Sequence, residues 1–308
     1  AMIAMAPNFT ILVIGRILSS AAASLIIVKV LALTAMLTIP KNRGKMIGVV
    51  YTGFSGANVF GVPIGTMIGD AIGWRFTFLF IIIVSVIAGV LMMVYLPSTS
   101  ELNQVQRQWG STSNKQLNTS KILRPAEVVK YLTITFLILV ANSVTFVYIN
   151  PLILNHGHQM GFVSLALLVN GIAGVIGTSL GGILADKLSS KRWLIIAFSI
   201  FIVMMLIMNL ILHTVTLLLI GLFIWNIVQW STNPAIQSGM IEHVEGDTSQ
   251  VMSWNMSSLN AGIGFGGIIG GLVVSNISVQ AVTIVSAMVG AMGLIIVLSL
   301  KNMSYMRN

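Results

Sequence analysis

Apolar residues run in long stretches separated by short polar interruptions. Nine can be marked off, at Phe9 to Thr38, Met46 to Ile72, Phe76 to Leu96, Tyr131 to Leu152, Phe162 to Leu184, Trp193 to Leu212, Val215 to Met240, Val251 to Val274 and Val279 to Leu300. Each has roughly 20 residues or more, enough for a helix to cross a hydrocarbon core of about 30 Å. A membrane barrel would show short strands of alternating polarity, so these continuous runs predict helices, which satisfy their own backbone in lipid. None has the short apolar core and small-residue cleavage site of a secretory signal. The expected fold class is all-α and polytopic, with about nine transmembrane helices in a bundle.

The long hydrophilic stretch from Pro97 to about Glu127 is rich in Ser, Asn, Gln and Lys and too poor in apolar residues to build a core. Residues 98–128 therefore read as a linker between an incomplete bundle in 1–97 and a six-helix bundle in 129–308. Lys41, Arg43, Lys45, the basic residues from Arg107 to Lys130, Lys187, Lys191, Arg192, Lys301 and Arg307 all fall on one side of the predicted topology, and Arg75 alone on the other. The positive-inside rule then places the linker and the C-terminus in the cytoplasm of a cell-membrane protein.

Composition closes off the alternatives. The chain is 56% hydrophobic and 7% charged, with mean hydropathy +0.97, whereas soluble domains carry about 25% charged residues. The formal charge of +9 is scattered between spans rather than gathered into a patch, so no nucleic-acid partner is expected. With no cysteine there is neither a disulfide framework nor a thiolate metal site. His156 and His158 alone would make an incomplete metal site, and His213 and His243 stand apart from them in the sequence, so no metal or cofactor is expected. No phosphate loop, carboxylate pair or nucleophile with its base can be found, which argues against an enzyme.

Polar residues inside the spans are the candidates for function. Asn226, Gln229, Trp230, Asn233 and Gln237 recur at helical spacing in the seventh span, one stripe suited to hydrogen bonding and stacking with an uncharged solute, or to amide pairing between helices. Asn142, Thr145 and Tyr148 add a broader face in the fourth span. Arg16 lies roughly 10 Å inside the first span, where a cation faces a cavity or snorkels outward. Lys29 is expected to snorkel. No Asp or Glu occupies the middle of a span.

Ser55, Asn58, Gly65 and Gly69 of the second span reappear as Ser257, Asn260, Gly267 and Gly271 of the eighth, each pair offset by 202. Such duplication is typical of secondary transporters. With Gly61 and Pro63, the first set resembles the fifth-helix signature of the proton-coupled drug and metabolite exporters of the major facilitator superfamily, with Gly61-Val62-Pro63 in place of Gly-Pro. Asn58, Gly61, Gly65 and Gly69 would share one narrow face open to a neighbouring helix. ILVIGRILSS around Arg16 resembles the superfamily's fourth-helix signature, with Ser19 and Ser20 replacing its glutamine and glycine. Gly182, Asp186, Lys187, Lys191 and Arg192 resemble its cytoplasmic gate loop.

The resemblance covers nearly the whole chain and numbers the spans as helices four to twelve, so helices one to three are expected upstream, with the proton-carrying carboxylate that many of these antiporters keep in the first. It implies alternating access by two bundles, a cavity lined partly by the fourth, seventh and tenth helices, and a monomer in the lipid bilayer that exports small organic molecules, such as drugs or sugar-like metabolites, against protons. Uptake or facilitated diffusion of a sugar-like solute is the alternative. A membrane-embedded enzyme or sensor is disfavoured.

Overall fold

The structure is a computed structural model that describes residues 2–37, 53, 56–95, 121–245 and 248–301. Ser55 and most of the linker lie outside the described residues. Eight helices among the described residues are long and apolar enough to cross a bilayer, beside one shorter apolar helix over Val59–Ile72. The chain divides into two compact units, Ala1–Leu117 and Asn118–Asn308.

In the first unit, α1 spans Phe9–Leu37, α2 Val62–Ile72 and α3 Trp74–Tyr95. A π-helical turn, Ala57–Gly61, leads into α2, with Pro63 in the first turn. Pro63 has no N–H to give to the Val59 carbonyl, so the α-helical bond cannot form there and the turn before it widens. The widened turn rotates the residues beyond it about the helix axis, so Gly65 and Gly69 are out of α-helical phase with the turn that precedes Pro63; the Asn58 side chain lies outside the described residues. A Cβ on Gly61 would meet nothing within 4 Å, whereas Gly65 and Gly69 lie against Thr77 of α3, whose hydroxyl donates to the Gly65 carbonyl at 3.0 Å. α3 buries no residue, and its apolar side chains are clad by lipid on the membrane reading.

The second unit contains α4 (Pro125–Phe146), α5 (Ile149–Leu154), α6 (Met160–Leu188), α7 (Ser190–Ile211), α8 (Val215–Ile241), α9 (Ser249–Asn276) and α10 (Ala281–Leu298). Two short strands, β1 (Lys121–Ile122) and β2 (Val244–Glu245), pair antiparallel and join the chain entering α4 to the chain leaving α8. α4 begins earlier than its apolar run because Pro125 is preorganised for a first helical position. The fourth span breaks into α4 and α5, since Pro151 can neither donate to the Val147 carbonyl nor avoid it.

Helix packing in this unit has an internal two-fold pattern. α6 lies against α8, and α9 against α4; α7 lies against α8, and α10 against α4; α7 and α10 lie against each other. Exchanging the triplet α4, α6, α7 with the triplet α8, α9, α10 maps this list onto itself. The two closest pairs are held by glycine. A Cβ on Gly177 or Gly181 of α6 would strike the backbone of Ile227 or Ser231 of α8, while one on Gly262, Gly266 or Gly270 of α9 would strike the Phe136, Val140 or Val144 carbonyl of α4. Gly293 and Gly290 of α10 admit Phe198 and Phe201 of α7, both buried with Met205 and Trp225 in the core. The opposite faces carry Leu206 and Leu210 of α7 and Met288, Met292 and Ile295 of α10, all exposed. A soluble monomer does not present apolar surface on that scale, and lipid covers it.

Candidate functional site

The predicted stripe on α8 is divided by depth. Asn226 and Gln229 are buried, and the Asn226 amide donates to its own helix at the Leu222 carbonyl, 2.8 Å away. Trp230, Asn233 and Gln237 are half-buried. The Trp230 indole lies against Gly174 of α6, and Gln237 donates from Nε2 to Asn233 Oδ1 at 3.1 Å. Pro234 sits inside the helix among them and cannot donate to the Trp230 carbonyl, so an acceptor is released beside the indole.

The predicted residues of the fourth span separate. Thr145 is fully buried; its hydroxyl donates to the Val282 carbonyl at 3.2 Å and lies 2.7 Å from the Ser286 hydroxyl, which joins α4 to α10. Tyr148 donates to the Gly267 carbonyl of α9 at 3.2 Å, and a Cβ on Gly271 would press on its hydroxyl. The structure thus places Thr145 and Tyr148 in helix joints. Asn142 is half-buried, with Oδ1 enclosed and unpartnered.

Buried Trp225 Nε1 of α8 and Asn255 Nδ2 of α9 are likewise enclosed without a partner, although Asn255 Oδ1 accepts from Thr135 at 2.7 Å. Buried polar atoms are nearly always satisfied, so each of these invites a ligand or water. They are two donors and an acceptor, each on a neutral group of a different helix. The sequence reading missed Trp225 and Asn255, along with buried Asn170 of α6; a lone amide in an apolar run was the available signal for Asn170, whereas Asn255 lies among Ser253, Ser257 and Ser258.

Arg16, in the first unit, is exposed, with its guanidinium 5.4 Å from the centre of the Phe78 ring of α3. Lys29 is exposed on the same helix. Of the expected gate-loop residues, Asp186, Lys187 and Arg192 are exposed and Gly182 has open space where a Cβ would project. Lys191 caps the end of α10 through the Leu298 carbonyl at 2.9 Å and the Leu300 carbonyl. Asn260, expected in the packing signature, is exposed and donates to its own Met256 carbonyl; the tight α9 row is Gly262, Gly266 and Gly270, one step round from Gly267 and Gly271.

At the far end of the second unit His213 meets His156, ring centres 5.0 Å apart, while His158 donates to the Leu212 carbonyl at 2.7 Å. Among the described residues no three His, Asp or Glu gather closely enough to hold a metal ion.

Residues 1–256 match the sequence model of the Major Facilitator Superfamily. The chain belongs to that superfamily. It is 30% identical over 292 residues to the uncharacterized MFS-type transporter YbcL of Bacillus subtilis, covering 94% of this chain and 71% of the relative. It is 27% identical over 296 residues to a probable sugar efflux transporter of Helicobacter pylori strain J99, covering 95% and 72%. Superfamily membership makes the chain a multi-pass membrane protein of a transporter family, not an enzyme family, and accounts for the helical bundle. The two triplets of the second unit are the repeat arrangement that such transporters nest within each half.

Proposed function

We propose that this protein is a secondary transporter of the cell membrane that exports small, uncharged, hydroxyl-bearing organic molecules, sugar-like metabolites first among them, by alternating access driven by protons. The carrying observation is the half-buried α8 row of Trp230, Asn233 and Gln237 in a unit that also holds unpartnered neutral polar atoms on Asn142, Trp225 and Asn255. A hydroxyl both donates and accepts, so it suits such a set, and an indole face suits the apolar side of a sugar ring. The Helicobacter pylori relatives, named probable sugar efflux transporters, point to the same substrate class and direction. The positive-inside distribution supports a cytoplasmic linker and C-terminus.

Everted vesicles containing the protein and a panel of labelled mono- and disaccharides test the reading. Accumulation that collapses on adding a protonophore is the expected result. Equilibration indifferent to the proton gradient would instead establish facilitated diffusion. No movement of any sugar in the panel would overturn the substrate class.

A further inference from the structure

We propose that His243 is the proton-binding element of a latch at the linker-side end of the second unit, holding the chain entering α4, the end of α8 and the end of α10 together until it is protonated. The latch has three strands of attachment. β1 pairs with β2, Lys121 opposite Glu245 and Ile122 opposite Val244, and the Leu123 amide donates to the His243 carbonyl at 2.9 Å. Glu127, buried near the start of α4, accepts from the Lys301 amide at 3.1 Å and from Lys130 Nζ at 2.9 Å. Lys130 also donates to the Ser299 carbonyl at 2.9 Å. One carboxylate thus anchors the chain beyond α10 to α4, and one histidine backbone anchors the chain before α4 to α8.

The His243 side chain sits between these attachments. It is 1% exposed, its Nδ1 is enclosed without a partner, and its ring lies 5.9 Å from that of Tyr131. Glu127 and Arg124 of the α4 entry act on it electrostatically with opposite sign. Glu242 precedes it on the same chain, Glu245 and Lys121 flank it on the paired strands, and Lys130 and Lys301 are already bound to Glu127. A neutral imidazole is tolerated there. A proton on Nδ1 would create a buried cation without an acceptor, and buried charge is costly unless paired. The nearby carboxylate is Glu127, so imidazolium competes with Lys301 and Lys130 for it or leaves its pocket, taking the His243 carbonyl from Leu123. Either movement loosens the latch.

Burial also holds the imidazole below its ordinary value of 6.5. The closed form therefore takes the proton later than the open form, so closure is complete above pH 6.5 and is lost as pH falls through the lower, closed-state value. Ordinary carboxylates remain ionised down to about pH 5, which separates this event from protonation of Glu127.

Hydrogen exchange of the full chain in nanodiscs, corrected for intrinsic rate, tests the proposal between about pH 7.5 and pH 5.5. The Leu123 and Lys301 amides of the wild type are expected to lose protection by several-fold, up to about tenfold, across that range, and those of His243→Gln to keep it. Equal loss in His243→Gln overturns the proposal. Should that variant fail to fold, a carbon-13 histidine titration of the wild type decides: loss of protection coincident with His243 titration supports the latch, and His243 titrating with both amides still protected overturns it.

Discussion

Ser189 is the non-glycine residue described with a positive φ, at φ 75 and ψ 148, a region that essentially only glycine occupies without strain. It ends α6 and begins α7 in a single step, and Ser189→Gly is expected to raise the melting temperature. Relief of strain of about 1–3 kcal/mol exceeds the entropy that an added glycine contributes to the unfolded chain, about 0.5–1 kcal/mol; Ser189→Ala should give no gain in the same assay. His243 predicts a pH dependence of opposite sign to that of its neighbour. Its value is depressed by burial, so stability falls as pH drops below 6.5. Glu242 is raised by burial, so its contribution is lost as pH rises through that raised value. Thermal unfolding from about pH 7.5 to 5.5 should show the histidine loss, absent in His243→Gln. For transport, Asn233→Ala and Gln237→Ala are each expected to lower the rate by about tenfold, the scale of one lost hydrogen bond to substrate, with melting temperatures unchanged. Unchanged transport in both would remove this row from the substrate path. The row itself was legible because an α-helix repeats every 3.6 residues whatever surrounds it. Its depth was not, because Asn226 and Gln237 are the same kind of residue on the same face and only neighbouring helices decide which is covered.

Glycine spacing is where sequence reading at the level of the helix both succeeded and failed. The richness of α9 in small residues marked it as closely packed, but its row on α4 is Gly262, Gly266 and Gly270 rather than Gly267 and Gly271. Two interleaved rows of glycine are indistinguishable until the partner helix is known. On the other side of the chain, periodicity alone could not foresee that Pro63 would widen the preceding turn and shift its phase. Gly266→Val is expected to cost about 1–3 kcal/mol or more, because the new side chain would enter the space of Ser143 and the Val140 carbonyl, backbone that cannot give way. Gly264→Ala is the control, with nothing within 4 Å of the added atom. Equal melting temperatures for the two would show that α4 and α9 approach each other less closely than these contacts require.

At the scale of the molecule, the helical, many-span character of the chain was readable from hydropathy because lipid imposes length and backbone satisfaction on every crossing segment. The repeat visible in the sequence pairs the second span with the eighth across the whole chain. The exchange of triplets inside the second unit has its own trace, since Asn170, Gly177, Gly181 and Gly182 of α6 recur as Asn255, Gly262, Gly266 and Gly267 of α9, each pair offset by 85. That exchange bears on how the protein is made. α6 finds its close partner only when α8 has been synthesised, and α4 only when α9 has followed. Growing chains therefore hold glycine grooves open in the membrane for most of the unit's synthesis, and neither triplet can complete itself as it emerges. Residues 118–212 and 213–308 expressed as separate pieces should each be degraded alone and be recovered as a stable pair when made together. Survival of the first piece by itself would mean that its helices find other partners. A pause in translation between α7 and α8 would leave the bilayer holding one helix of each glycine-lined pair, α6 without α8 and α4 without α9.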